Sequence, residues 1–87
     1  MWIKTVDDGY INLDNMAELR KTYVKEHKYV LVVAQAAGSD DKYFLAEYPA
    51  ATDDEIDAAL EKAEEKINLI IEIDALMKQG KMQGNRE

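Results

Sequence analysis

A chain of 87 residues has room for one domain, and its 47% apolar content, spread along most of its length, is that of a folded protein rather than a disordered one. Eighteen acidic residues against eleven lysines and arginines give a net charge of −7, which disfavours direct binding to nucleic acid, because such binding draws on Lys and Arg displacing counterions from phosphates. The absence of cysteine removes disulfides, thiolate nucleophiles and thiolate metal sites together.

The first element in chain order is a hairpin. Trp2-Ile3-Lys4-Thr5-Val6 and Tyr10-Ile11-Asn12-Leu13 flank Asp7-Asp8-Gly9, and Gly9 can take the positive φ of a three-residue loop with a bulge. Setting Val6 opposite Tyr10 gathers Ile3, Thr5, Ile11 and Leu13 on one face and leaves Trp2, Lys4, Asn12 and Asp14 on the other. A two-residue turn at Asp8-Gly9 would scatter that apolar set, so register selects the longer loop.

Residues 15–24 fit two periods. As a helix they offer Asn15 as a cap and Met16, Leu19, Tyr23 and Val24 on one face; as a strand they place Ala17, Leu19, Lys21 and Tyr23 together. The strand is preferred, because the next segment, Tyr29 to Ala37, is strongly β-forming through Val30, Leu31, Val32 and Val33 and needs a neighbour. Lys25-Glu26-His27-Lys28 turns between them, Gly38-Ser39-Asp40-Asp41 is the next turn, and Lys42 to Tyr48 is a further strand closed by Pro49.

Thr52-Asp53-Asp54-Glu55 is a capping-box pattern with acids in the first turn, where the helix dipole favours them. The helix it opens is expected to span 52–79, ending before Gly80, with residues 80–87 a flexible tail. Ile56, Leu60, Ala63, Ile67, Ile70 and Met77 recur at helical spacing, so one stripe can lie on a sheet. Leu69, Ile71, Ile73 and Leu76 add more apolar surface than one sheet face covers. The expectation is a single α+β domain over 1–79, an antiparallel meander of about five strands (1–49) against one long carboxy-terminal helix. The helix overhangs the sheet, and its exposed end supports a homodimer through Ile67, Leu69, Ile70, Ile71, Ile73, Leu76 and Met77.

Residues 53–66 hold seven carboxylates against two lysines. Asp53, Asp54, Asp57, Glu61, Glu64 and Glu65 form the candidate binding face, and a protein partner with a basic surface suits it. The chemical inventory is thin. His27 and Ser39 are the only residues of their types and lie in turns, no glycine-rich phosphate loop is present, and the carboxylate pairs Asp7-Asp8, Asp40-Asp41 and Asp53-Asp54 lack calcium-loop spacing. No catalytic residue, cofactor or metal site is assigned. The five tyrosines, with Trp2 and Phe44, fall in strands as half-buried residues, with Trp2 or one tyrosine an exposed anchor. The apolar runs Tyr29–Ala34 and Leu69–Ile73 are too short to span a bilayer and no signal-like run opens the sequence, so a soluble cytoplasmic protein is expected.

Trp2-Ile3-Lys4-Thr5, Gly9, Tyr10-Ile11-Asn12-Leu13-Asp14, Leu45-Ala46-Glu47-Tyr48 and the acidic start at Thr52 together resemble a loose group of small bacterial and phage-type proteins of uncharacterised role, in which a β-meander precedes one helix. The likeness covers most of residues 1–65 and implies a fold more than an activity. It carries over no catalytic residue, and the long apolar helix end after Ile67 departs from the shorter helix of that group.

Three function classes follow. The leading one is a non-enzymatic protein-binding module, in its narrow form an anti-defence inhibitor of the anti-CRISPR kind whose carboxylates stand where phosphates would sit on a basic nucleic-acid-binding protein. The others are a homodimeric structural or assembly protein and a small-ligand-binding domain.

Overall fold

A computed structural model describes residues 1–84, with side-chain surroundings through residue 79. Five antiparallel strands lie against one long helix, as the pattern predicts, and the strands divide into two sheets. The first holds β1 (Trp2–Lys4) and β2 (Tyr10–Asn12); the second holds β3 (Met16–Val24), β4 (Tyr29–Ala36) and β5 (Lys42–Pro49) in the order β3-β4-β5. A single 3-10 turn, Leu13–Asn15, carries the chain from one to the other. Residues 16–24 are therefore strand.

The hairpin loop has the expected length but begins one residue earlier. Lys4 pairs with Tyr10, Ile3 with Ile11 and Trp2 with Asn12, so Val6 is not opposite Tyr10. The Thr5 amide donates to the Gly9 carbonyl at 2.8 Å, which leaves Val6, Asp7 and Asp8 as the loop. Its left-handed residue is Asp8 (φ 67°), not Gly9. Thr5 explains the placement: its buried hydroxyl accepts the Gly9 amide at 3.0 Å and donates to the Asp7 carboxylate. A β-carbon on Gly9 would stand 3.1 Å from that hydroxyl oxygen. The register moves by two residues, an even number, so Ile3 and Ile11 still share the inward face while Trp2 and Tyr10 stay outside, 68% and 65% exposed. Val6, released from the ladder, donates its amide to the Phe44 carbonyl at 2.9 Å and ties the hairpin to β5.

β4 is the central strand, with Val30 to Ala34 buried without interruption. Val30, Val32 and Ala34 join the helix-facing core; Leu31 and Val33 are buried outside that cluster, with Thr22 and Glu47 beside Leu31 and Arg20 and Phe44 beside Val33 in register. A bulge at Leu45 turns that side chain into the core. The His27 ring, exposed in the β3–β4 turn, stacks on Tyr29 with centroids 5.8 Å apart.

The helix, α1 (Asp53–Gly84), opens with the predicted box. The Thr52 amide donates to Glu55 Oε1 at 3.1 Å and the Glu55 amide to Thr52 Oγ1 at 3.2 Å. It runs through Gly80 rather than stopping before it, so the expected tail is helical as far as Gly84, and residues 85–87 lie outside the described residues. Its 32 residues give a rod of about 48 Å at 1.5 Å per residue, which sets the long axis of a molecule measuring 53 × 26 × 21 Å. Ala59, Ala63, Ile67 and Ile70 are buried on the sheet, with Ile56 and Leu60 partly so. Met77 does not continue this stripe, being 54% exposed; Asp74 takes the inward position instead and holds Lys78 at 2.9 Å.

Candidate functional site

The sides of α1 that do not touch the sheet differ in chemistry. Asp54, Asp57, Glu61, Glu65, Asn68 and Glu72 follow one another at three- and four-residue steps, with Glu64 beside Glu65, all exposed, so they form a ridge along one flank. From Asp54 to Glu72 it is about 27 Å long at the helical rise. Asp53, also exposed, lies at its start. The ridge is on the β3 side, because Lys21 of β3 reaches across to Glu64 with Nζ 2.6 Å from the carboxylate. Among the described residues Glu64 is the one member of the predicted acidic set held in an ion pair; Asp53, Asp54, Asp57, Glu61 and Glu65 face solvent without one. All six predicted acids thus lie on the exposed part of the helix, and Glu72 extends the ridge beyond them. Glu72 has the same three-and-four spacing in the sequence and was hidden by the apolar residues around it.

The seven residues expected to make a dimer face do not form one surface. Ile67 and Ile70 are 8% and 3% exposed and belong to the chain's own core, because they continue the stripe of Ala59 and Ala63 over β4. Ile71 lies on the ridge side and lines a groove with Leu13, Met16 and Leu19. Leu69, Ile73, Leu76 and Met77 remain on the opposite flank, Ile73 four residues after Leu69 and the last two three and four residues after Ile73, all 41% to 60% exposed. That flank, nearer the start of the helix, meets the end of β5, where Tyr48 and Pro49 form a shallow cleft with Glu55, Ala59 and Lys62.

The groove beside Ile71 has a volume of about 340 Å³ and runs between α1 and the beginning of β3. Its charged rim is largely paired: Lys78 bridges Asp74 at 2.9 Å and lies 4.0 Å from Asp14, the Met1 amino group is 3.6 Å from Asp14, and Glu18 accepts from Arg20 at 2.6 Å. The bond to Asp74 raises Lys78 above the usual lysine range. A second cleft, of about 460 Å³, opens at the β4–β5 turn between Glu18, Gln35, Ser39 and Asp40. Its polar lining faces solvent, and the turn is shaped by Gly38 (φ 76°) and by the Asp41 amide donating to Ser39 Oγ at 3.2 Å. Among the described residues, no three His, Asp or Glu side chains converge as a cation site, and no helix is long and apolar enough to cross a membrane.

No family model, curated protein or solved structure matches this chain.

Proposed function

We propose that the chain is a non-enzymatic protein-binding module whose contact surface is the acidic ridge of α1. The observation that carries this reading is the run of exposed carboxylates from Asp54 to Glu72, aligned along about 27 Å of one helix flank and, among the described residues, left without internal cations apart from Lys21 at Glu64. Aligned like charges repel one another within the monomer, and a basic partner surface relieves that repulsion while steering the encounter. The partner class is a protein with a basic groove. In its narrow form the module is an anti-CRISPR-like anti-defence inhibitor that occupies the phosphate track of a nucleic-acid-binding protein.

The test is affinity capture from a bacterial lysate containing defence nucleases, with the captured protein challenged by duplex DNA and by rising salt. The expected result is a basic protein released by both. A variant carrying Asp54→Lys, Asp57→Lys, Glu61→Lys and Glu65→Lys, which leaves the Lys21–Glu64 pair intact, is expected to capture nothing; unchanged capture by that variant discards the acidic surface.

A second reading is supported by the flank of Leu69, Ile73, Leu76 and Met77. Four exposed apolar side chains at helical spacing favour self-association into a structural dimer. Sedimentation of the wild type against Ile73→Asp with Leu76→Asp tests it: a dimer lost in the variant supports this reading, and a wild-type monomer at all concentrations removes it.

A further inference from the structure

β3 is an edge strand, and its outer edge is open. It pairs with β4 from Met16 to Val24, and among the described residues no backbone hydrogen bond reaches its other side. Past the bulge at Ala17 the ladder is regular from Glu18 to Val24, so along this stretch alternate residues bond β4 and the residues between them direct their amide and carbonyl groups to the open edge. Such an edge accepts a further strand unless charge or cover prevents it. Its two basic side chains are already neutralised, Arg20 by Glu18 and Lys21 by Glu64, each at 2.6 Å.

Two features lie above this edge on the helix side. At one end is the groove formed by Leu19, Met16 and Ile71. Farther along, the Lys21–Glu64 contact places that side of the acidic ridge over the same edge, with Asp57 on the same line two turns nearer the helix start and Glu61 turned farther toward solvent. From this juxtaposition we infer that β3 receives an extended segment of a partner protein as an added antiparallel strand. Successive helix-side positions of that segment carry basic, basic and apolar residues, the basic ones beneath Asp57 and Glu64 and the apolar one in the groove at Leu19 and Ile71. Backbone pairing holds the segment and the alternating side chains select it, as in other strand-addition sites. Charge chooses a foreign segment over a second copy of β3. A second β3 would bring Lys21 as its own helix-side cation, already paired at Glu64, and would leave Asp57 without a counter-charge. The inference rests on the acidic ridge being the partner surface and specifies the backbone conformation of what binds there.

The probe is an acetylated, amidated peptide of sequence Thr-Lys-Thr-Lys-Thr-Ile-Thr, compared with a same-composition peptide in which the two lysines and the isoleucine are adjacent. Amide NMR and hydrogen exchange on the full chain are the readouts. The alternating peptide is expected to shift and protect amides within Glu18–Val24 and to bind at least tenfold more tightly than the blocked one. Ile71→Lys, at a position 53% exposed and so tolerant of substitution, is expected to reduce that binding tenfold or more with the spectrum of the fold unchanged. Equal binding of both peptides with shifts confined to α1 overturns strand addition while leaving the acidic surface as the contact. Protection of β3 that grows with protein concentration alone overturns it in favour of a second copy. Absence of binding by either peptide at millimolar concentration also overturns it, whereas failure of the fourfold lysine variant to alter capture bears on the acidic surface instead.

Discussion

Lys21 Nζ lies 2.6 Å from the Glu64 carboxylate, joining the edge strand to the helix across 43 positions of sequence. Both side chains keep a third to a half of their surface in water, at 38% and 51% exposure. Solvent therefore screens the pair, and its worth lies in alignment more than in stability.

A double-mutant cycle with Lys21→Met and Glu64→Gln should return a coupling energy under about 1 kcal/mol, shrinking in high salt. Urea unfolding at low and high ionic strength measures it. A coupling well above that value would mean that the pair is more sheltered than its exposure indicates.

Neighbouring positions on α1 should respond very differently to truncation. Ile70→Ala removes a core side chain and should cost about 2–5 kcal/mol, whereas Leu69→Ala, at a half-exposed position, should stay within about 0.5 kcal/mol in a monomer. Denaturation midpoints compare them directly, and a large concentration-dependent loss for Leu69→Ala would expose an interface there.

Ala63 is fully buried where the helix crosses the sheet, with Ala59 one turn before it. Their small size lets α1 approach β4 closely. Ala63→Leu should therefore destabilise by about 1–3 kcal/mol through overpacking, while Ala58→Leu on the exposed surface should be nearly neutral. Thermal melts of the two variants provide the check.

The Thr5 hydroxyl holds the Asp7 carboxyl below its usual range by donating to it. A carboxylate whose folded pKa is depressed contributes stability that is present above the unfolded value and is lost as pH falls through the lowered one. The loop should therefore keep its geometry through the ordinary carboxylate range and loosen only below it. Carbon-detected NMR titration of Asp7 should show the depressed midpoint in the wild type and an ordinary one in Thr5→Val.

Where local chemistry decided the structure, the sequence was sufficient. The reciprocal bonds of Thr52 and Glu55 lie within one helical turn, and the β-branched run of β4 demanded neighbours on both sides, which also fixed β3 as a strand. Long-range contacts were beyond its reach. Sequence spacing assigned Gly9 to the loop, but the Thr5 hydroxyl and the bond from Val6 to Phe44 moved the loop one residue earlier. Spacing alone extends the stripe past Asp74 to Met77, whereas Asp74 itself takes the inward position, where Lys78 neutralises it. Gly80 was read as a stop, yet one glycine costs a helix only about 1 kcal/mol relative to alanine and does not by itself impose an end. The acidic residues were legible individually; their position over an open strand edge depended on Lys21 meeting Glu64.

The bond from Val6 to Phe44 also bears on the order in which the chain matures. The first hairpin is complete by Leu13, but its outer support is the last strand, so during synthesis it waits for more than thirty further residues before it can dock. A two-stranded hairpin is marginal alone in water, and the inner face of the three-stranded meander, with Val30, Val32 and Ala34, has no helix over it until α1 emerges. The core is therefore completed only once α1 has emerged and seats Ala63, Ile67 and Ile70 on the sheet. Truncation before the helix should leave a nascent chain that remains open to proteases and chaperones rather than a smaller folded intermediate.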